Sequence, residues 1–186
     1  MRITGGEFRG RMLRVPKTDA IRPTQDRVRE ALFNIIRGEI AGARFLDLFA
    51  GSGAVGLEAL SRGAAAVTFV ERDRRHAAAI GGNLRTIAGA RAAAAEVVAA
   101  DAHRWLAGYA GPGYGVAFAD PPYALCEAEG AAWMLSALAE RGAVAAGGLF
   151  AAETPAAAAM CVSPGWEPLR DRVYGKTRIC LWRRNT

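Results

Sequence analysis

Residues 46–53, which read LDLFAGSG, decide the fold. Their apolar first half is typical of a buried β-strand, and their glycines are typical of a tight turn before a helix. Glycine is needed in such a turn because a Cβ would prevent a ligand from approaching the backbone closely. The free amides at the start of the following helix would attract an anion or a carboxylate. The stretch therefore predicts the first strand, turn and helix of a ligand-binding α/β domain.

Beyond this turn, short apolar runs alternate with amphipathic stretches, which is the pattern of a parallel α/β sheet. The predicted parallel strands are residues 44–49, 66–70, 96–100, 116–119 and 148–152. The predicted helices of this part are residues 54–62, 74–87, 103–107 and 129–140. Residues 166–173 and 177–182 flank Tyr174-Gly175-Lys176 and predict an antiparallel hairpin at one edge. The chain is therefore expected to form a seven-stranded, mostly parallel sheet.

Two pieces precede this core. Residues 2–15 are basic, contain three glycines and predict a small hairpin or an extended arm. Thr24 is a typical N-cap, with Asp26 in the first turn, for a helix that ends at Ile36. The face of this helix expected to pack on the sheet consists of Val28, Ala31, Leu32, Ile35 and Ile36. We expect one domain over residues 1–186, with residues 1–20 as a basic N-terminal arm and residues 21–186 as the core.

The composition argues against several classes of protein. The 186 residues suit one compact domain, and a content of 52% hydrophobic and 23% charged residues argues against disorder. No apolar run is long enough for a membrane helix, and the N-terminus lacks the apolar segment of a signal peptide. The three cysteines show no metal-type spacing, so neither a metal site nor a disulfide scaffold is expected. We expect a monomeric cytoplasmic protein with reduced thiols.

The net charge of +6 is concentrated at the two ends of the chain. Residues 1–37 contain nine Lys or Arg against four Asp or Glu, and residues 166–186 contain six against two. The middle, residues 38–165, contains nine against twelve. This distribution predicts a cofactor or catalytic site in the acidic middle, and basic ends that attract a polyanion.

The glycine turn fits two kinds of cofactor. Gly51, Gly53 and Gly56 satisfy the G-x-G-x-x-G pattern of dinucleotide-binding domains, and Glu71 follows at a distance suitable for a ribose. This pattern makes an NAD-dependent oxidoreductase an alternative. Asp47, however, lies on the strand four residues before Gly51, where its charge would be unfavourable beside a pyrophosphate. S-adenosylmethionine has no phosphate, and its ammonium and sulfonium groups tolerate a neighbouring carboxylate.

Acidic residues mark three successive predicted strands. Asp47 lies on the first strand, Glu71 at the end of the second and Asp101 at the end of the third. Glu71 suits the ribose hydroxyls of either cofactor, and Asp101 could accept a hydrogen bond from the adenine amino group. Because parallel strands end at one edge of a sheet, the three residues favour S-adenosylmethionine bound across that edge. The structural alternatives are a buried Asp47 bonded to loop amides and Asp101 as a plain helix N-cap.

The segment Asp120-Pro121-Pro122-Tyr123 closes the fourth predicted strand at the same edge. By itself it could be a stiff turn, since consecutive prolines fix the backbone. Its chemistry also suits methylation of an exocyclic amino group on a nucleobase. The Asp120 carboxylate and the Pro121 carbonyl would accept the two amino hydrogens, and Tyr123 would stack on the base. Transfer from a sulfonium would then depend on positioning, and the base must be unpaired or splayed out of its helix.

Five stretches carry a resemblance to a known family. They are ITGGEFRGR (residues 3–11), RPTQDRVREALFN (22–34), LDLFAGSGAVGLEALSRGA (46–64), FVERD (69–73) and ADPPY (119–123). In this order they resemble the bacterial 16S ribosomal RNA guanine 2-amino methyltransferase family, over residues 2–182. The first two stretches are the most specific to that family.

The resemblance implies a Rossmann-like class I methyltransferase fold and methyl transfer from S-adenosylmethionine to the 2-amino group of a guanine in 16S rRNA of the small ribosomal subunit. The cofactor-binding residues that it implies are Thr24, Asp47, Gly51, Gly53, Glu71, Arg72, Asp101 and Ala102. The implied catalytic residues, which hold the guanine, are Asp120, Pro121, Pro122 and Tyr123. The residues implied to contact rRNA phosphates are Arg9, Arg11 and Arg14. Methylation of adenine or cytosine at the same corner, and a non-catalytic RNA-binding assembly factor, stay open as alternatives.

Overall fold

The apolar runs form one seven-stranded sheet in the computed structural model, which describes residues 1–15, 26–122, 124–125 and 131–186. The strands are β1 (Arg44–Leu48), β2 (Ala66–Glu71), β3 (Ala95–Ala99), β4 (Tyr114–Ala119), β5 (Val144–Pro155), β6 (Trp166–Tyr174) and β7 (Thr177–Arg184). Their order across the sheet is β3-β2-β1-β4-β5-β7-β6. The first five strands pair in parallel, and β7 pairs antiparallel with both β5 and β6. The predicted mostly parallel sheet with a C-terminal antiparallel hairpin is confirmed.

Helices cover both faces of the sheet. They are α1 (Asp26–Ile35), α2 (Ala54–Ser61), α3 (Arg74–Asn83), α4 (Ala102–Ala107) and α5 (Ala132–Glu140). One buried apolar cluster joins α1, α2 and α3 to one face, and a second cluster joins α4 and α5 to the other. Within the described ranges, no helix is both long enough and apolar enough to span a membrane.

Several element boundaries differ from the predicted ones. The fifth strand extends to Pro155 rather than ending at residue 152, because it continues to pair with β7 as far as Thr177. The helix predicted over residues 74–87 ends at Asn83 and is followed by a wider turn over Leu84–Ala88. In α1, Arg29 and Phe33 are buried, whereas the predicted core residues Ala31 and Ile35 are half-buried. The predicted N-cap Thr24 lies outside the described residues.

Residues 1–15 form a hairpin, one of the two predicted possibilities, and we call them the N-terminal hairpin. Arg2 and Met12 pair as an antiparallel bridge. The side chains of Ile3, Phe8 and Leu13 are buried in the cluster that also holds α1, α2 and α3. The hairpin is therefore packed on the core rather than extended away from it.

Candidate active site

A cavity opens at the carboxyl ends of the parallel strands. Its volume is about 350 Å³, which is typical of a small-molecule site. Its lining includes eight residues predicted from the sequence: Asp47, Gly51, Glu71, Arg72, Ala102, Asp120, Pro121 and Pro122. The fold therefore brings the predicted cofactor turn and the predicted methylation corner into one cavity.

Four other predicted residues are not placed in this lining. Thr24 and Tyr123 lie outside the described residues. Gly53 packs towards α3, where an added Cβ would lie 2.9 Å from Ile80 Cγ1. The Asp101 carboxylate accepts a hydrogen bond of 3.2 Å from the backbone amide of Arg104 and so caps α4. The structure therefore shows Asp101 as a helix N-cap, which is the structural alternative to a contact with adenine.

The glycine turn between β1 and α2 depends on unusual backbone angles. Gly51 and Gly53 have positive φ angles of 52° and 74°, which favour glycine. Phe49, in the cavity wall, has a φ of 58°, a strained angle of the kind found at binding sites. Gly56 has a different role, because a Cβ there would lie 2.3 Å from Phe69 Cε1. Gly56 therefore allows α2 to pack closely on β2. This packing accounts for the third glycine of the pattern without a bound dinucleotide.

Asp47 is a buried acid in the cavity wall, with 1% of its surface exposed. Its Oδ2 accepts a hydrogen bond of 2.8 Å from the Gly56 amide in the first turn of α2. Burial raises the pKa of Asp47 to about 8; the Gly56 hydrogen bond opposes this rise, and the charge of Glu71 adds to it. Asp47 is therefore a buried carboxyl group bonded to a backbone amide, as the structural alternative predicts, and it also lines the cavity. Because burial disfavours the charged form, a nearby cation would promote ionisation of Asp47.

Glu71 connects the glycine turn to the end of β2. Its Oε2 accepts a hydrogen bond of 2.8 Å from the Gly51 amide, and its Oε1 accepts one of 2.8 Å from the Asp73 amide. A carboxylate can accept about four hydrogen bonds, so Glu71 retains capacity for ribose hydroxyls. Asp73 caps α3, and the hydrogen bond from the Arg75 side chain is the main cause that lowers the pKa of Asp73 to about 2.

The corner after β4 lies beside the end of β5. Asp120 is half-buried, Pro121 is buried, and both line the cavity. The strand register pairs Ala119 with Ala152, so Glu153 on β5 is at the level of Asp120, the residue that follows β4. Glu153 also lines the cavity and is 6% exposed. The corner therefore faces a second carboxylate.

Sequence reasoning missed several lining residues. They include Phe49, Ser52, Asp73, His76, Ala100, Phe118 and Glu153. The sequence could have identified Glu153, because this acidic residue directly follows the predicted fifth strand, as Asp120 directly follows the fourth. With these residues the lining holds more carboxylates than cations, which favours a positively charged ligand. Among the residues that the structure describes, no group of His, Cys, Asp and Glu could hold a metal ion.

The three arginines predicted to contact RNA lie on the N-terminal hairpin. All three are exposed, and none of them forms an ion pair with a described carboxylate. Arg11 donates a hydrogen bond to the Ile87 carbonyl and stacks over Phe8, with its guanidinium 5.3 Å from the ring centroid. Arg9 is next to Phe8, whose amide donates a hydrogen bond of 2.8 Å to Ser61 Oγ at the end of α2. The eight residues of α2 span about 12 Å, so this contact lies at the end of α2 that is far from the glycine turn.

Comparison with known proteins identifies the family. Residues 1–183 match the family described as Conserved hypothetical protein 95. The chain belongs to this family. A relative from Escherichia coli K12, named Ribosomal RNA small subunit methyltransferase D, is 39% identical over 185 residues, which cover 99% of this chain and 90% of that protein. The protein of the same name from Haemophilus influenzae is 36% identical over 176 residues, or 94% of this chain and 89% of that protein.

Solved structures also match the chain over nearly its full length. The Escherichia coli protein yhhF matches with a TM-score of 0.86 and 38% identity, covering 100% of this chain and 98% of that one. A hypothetical protein from a Thermus species matches with a TM-score of 0.78 and 37% identity, covering 97% of this chain and 98% of that one. The fold is that of class I methyltransferases, and the predicted fold class is confirmed.

Proposed function

We propose that the protein transfers a methyl group from S-adenosylmethionine to the exocyclic 2-amino group of a guanine in 16S rRNA of the small ribosomal subunit. The observation that carries this proposal is the shared cavity: Asp120 and Pro121 line the same space as Asp47, Gly51 and Glu71. The names of the Escherichia coli and Haemophilus influenzae relatives support an rRNA substrate. We propose a monomer, because one chain supplies all of these groups, and action in the cytoplasm, because the relatives are named for ribosomal RNA.

The residues of the cavity fit S-adenosylmethionine. Asp47 suits its cationic groups, and Glu71 is placed to accept hydrogen bonds from the ribose hydroxyls. Ala102 and Arg72 would bound the adenine from the adjacent strand ends. A pyrophosphate would keep Asp47 protonated and gain no favourable charge from it, whereas a cation promotes ionisation of Asp47; this favours S-adenosylmethionine over the NAD alternative.

The corner residues would prepare the amino group for attack. The bound donor supplies an electrophilic methyl group on a positively charged sulfur. The Asp120 carboxylate and the Pro121 carbonyl accept the two amino hydrogens, which directs the nitrogen lone pair away from the ring and towards the methyl carbon. A carbon–nitrogen bond forms as the carbon–sulfur bond breaks, and its electron pair stays on sulfur. The methylated nitrogen then loses a proton, for which Asp120 is the nearest proposed acceptor. The prolines hold both acceptors in place before the reaction.

Asp47 is expected to release its proton when the ligand binds. Without ligand its pKa is about 8, so it is mostly protonated at pH 7, and a neighbouring ammonium lowers that pKa. Ligand-bound protein therefore carries fewer protons, and affinity should rise with pH up to about 8. Calorimetry of S-adenosylhomocysteine binding, in buffers of different ionisation enthalpy, should detect close to one proton released at pH 7. The Asp47→Asn variant is the control, because the ligand's own groups titrate equally with both proteins. Equal proton release by both would exclude this role.

The exposed arginines of the N-terminal hairpin are proposed to contact phosphates that flank the target nucleotide. Arg9→Ala combined with Arg11→Ala should weaken RNA binding and reduce its salt dependence, because fewer counterions are released. Filter binding of 16S rRNA over a range of salt concentrations measures both effects. The matched control is Arg104→Ala with Arg141→Ala, which removes two exposed charges from the opposite face of the sheet. An unchanged salt slope in the first double variant would show that the hairpin does not contact phosphate.

The decisive test of the function is methyl transfer itself. Radiolabelled S-adenosylmethionine is incubated with the protein and either unmethylated small subunits or free 16S rRNA, and the modified nucleoside is identified after digestion. We expect N2-methylguanosine. Labelled N6-methyladenosine or N4-methylcytidine would favour the alternative base specificities. Absence of transfer to any RNA, with intact donor binding, would overturn the proposal.

A further inference from the structure

We propose that Glu153 makes the site specific for guanine by accepting a hydrogen bond from N1–H of the target base. The proposal rests on the function given above and assigns the selection of the base to a residue outside the Asp-Pro-Pro-Tyr corner. Its basis is the position of a buried carboxylate beside Asp120 in the same cavity.

The strand register brings the two carboxylates to adjacent positions. Ala119 and Ala152 are partners in the parallel pair of β4 and β5, so Asp120 and Glu153 are the next residues along the two chain segments. Neighbouring strands lie about 4.8 Å apart. This spacing is comparable to the extent of the Watson–Crick edge of a purine. Asp120 and Glu153 could therefore contact neighbouring groups of one base.

The Glu153 side chain is held in a defined orientation. Its residue is 6% exposed, and Thr177 Oγ1, on β7, lies 3.2 Å from Glu153 Oε1 and donates a hydrogen bond to it. Ile179 is its backbone partner on β7, so a strand packs along the far side of Glu153 from Asp120. A carboxylate can accept about four hydrogen bonds, so the contact with Thr177 is compatible with a further one from a ligand.

The chemistry of the bases explains why this arrangement selects guanine. In guanine the 2-amino group is next to N1–H, so two neighbouring positions on the ring are donors. The amino group of adenine is next to the N1 acceptor, and that of cytosine is next to the N3 acceptor. With either of these bases, the Glu153 carboxylate would face a lone pair and a buried acceptor would lose its partner. Such a mismatch costs about 1–3 kcal/mol, and more for a charged group. Enzymes that read an extruded base commonly do so through this edge.

The test uses 2-aminopurine, which keeps the 2-amino group but has an acceptor at N1. Small subunits are reconstituted from 16S rRNA with guanine or 2-aminopurine at the methylated position, and kcat/KM is measured for each. We expect the wild type to prefer guanine by about a hundredfold. In Glu153→Gln the side-chain amide can donate to N1 of 2-aminopurine, so the preference should fall by about tenfold or more. 2-Aminopurine also lacks the O6 oxygen of guanine, but this difference is the same for both proteins and cancels in the comparison.

Controls separate a selective role from a structural one. Glu167→Gln changes an exposed glutamate on β6 and should leave the preference at its wild-type value. Binding of S-adenosylhomocysteine should be the same in Glu153→Gln and the wild type. If Glu153→Gln does not fold, Thr177→Val is the second variant, because it removes the hydroxyl that orients the carboxylate. It should also reduce the preference for guanine over 2-aminopurine. A preference unchanged in the folded variant overturns the inference. Failure of the wild type to methylate guanine-containing subunits would instead refute the proposed function.

Discussion

Replacement of Asp120 by alanine is expected to lower the rate of methyl transfer by about a hundredfold or more, with little change in the binding of S-adenosylhomocysteine. The reason is that the carboxylate is proposed to touch the reacting amino group and to act on its lone pair. The half-buried Asp120 directly follows β4, and the prolines after it limit movement of the corner, so a shift of the backbone cannot restore the lost contact. Loss of such a preorganised contact acts mainly on the transition state.

Single-turnover methylation of unmethylated small subunits measures this effect separately from product release. Asp120→Asn is an informative second variant, because it keeps one acceptor oxygen but removes the charge, and we expect an intermediate rate. The control is Glu96→Ala, which removes an exposed carboxylate from the edge strand β3. A near-normal rate in Asp120→Ala would refute the assigned role. A parallel loss of ligand affinity would place Asp120 in the cofactor site instead.

The positions of the strands along the chain and the position of the cavity were predictable because they depend on local patterns. Short apolar runs alternate with helical stretches, and such runs form parallel sheets whose ligands bind at the carboxyl edge. Asp47, Glu71 and Asp120 were found because an acidic residue on or after a buried strand is visible in the sequence. Glu153 obeys the same rule, but the fifth strand contains few β-branched residues and was predicted to end just before it.

The role of Asp101 shows where a pattern is insufficient. An aspartate between a strand and a helix is equally suited to a ligand and to the first turn of the helix. The structure shows the hydrogen bond to the Arg104 amide, and the neighbouring Ala102 lines the cavity instead. Residue spacing does not encode the direction of one side chain, so this choice required three-dimensional packing.

The docking of the N-terminal hairpin could not be predicted either, because it depends on charges brought together from distant parts of the chain. Arg29, on α1, carries a charge that favours an exposed position, yet its side chain is completely buried. Glu58, on α2, is also completely buried. Charged side chains are almost never fully buried unless they are paired, so the residue types alone favour exposed positions. Their burial is possible only because the two helices and the hairpin supply each other's hydrogen-bond partners.

Glu58→Ala is expected to destabilise the protein by about 3–5 kcal/mol, since removal of one member of a buried ion pair leaves the other uncompensated. Glu58 Oε2 accepts a hydrogen bond of 2.8 Å from the Thr4 amide, and Oε1 accepts one of 2.8 Å from Thr4 Oγ1. The Nε atoms of Arg62 and Arg29 lie 2.8 Å and 3.4 Å from its oxygens. One carboxylate thus holds the hairpin, α1 and α2 together.

Urea unfolding measures the loss of stability, and amide hydrogen exchange shows where it acts. In Glu58→Ala, exchange should accelerate first at the amides of residues 1–15, because the Thr4 contacts are lost and the hairpin opens before the sheet does. Glu30→Ala, an exposed glutamate on α1, is the control and should change stability by less than about 0.5 kcal/mol. Replacing the pair together, as Arg29→Met with Glu58→Leu, should recover part of the loss because no buried charge is left unpaired. If Glu58→Ala unfolds at the wild-type urea concentration, the buried carboxylate does not hold the hairpin, and the contacts of Ile3, Phe8 and Leu13 with the core must be sufficient for docking.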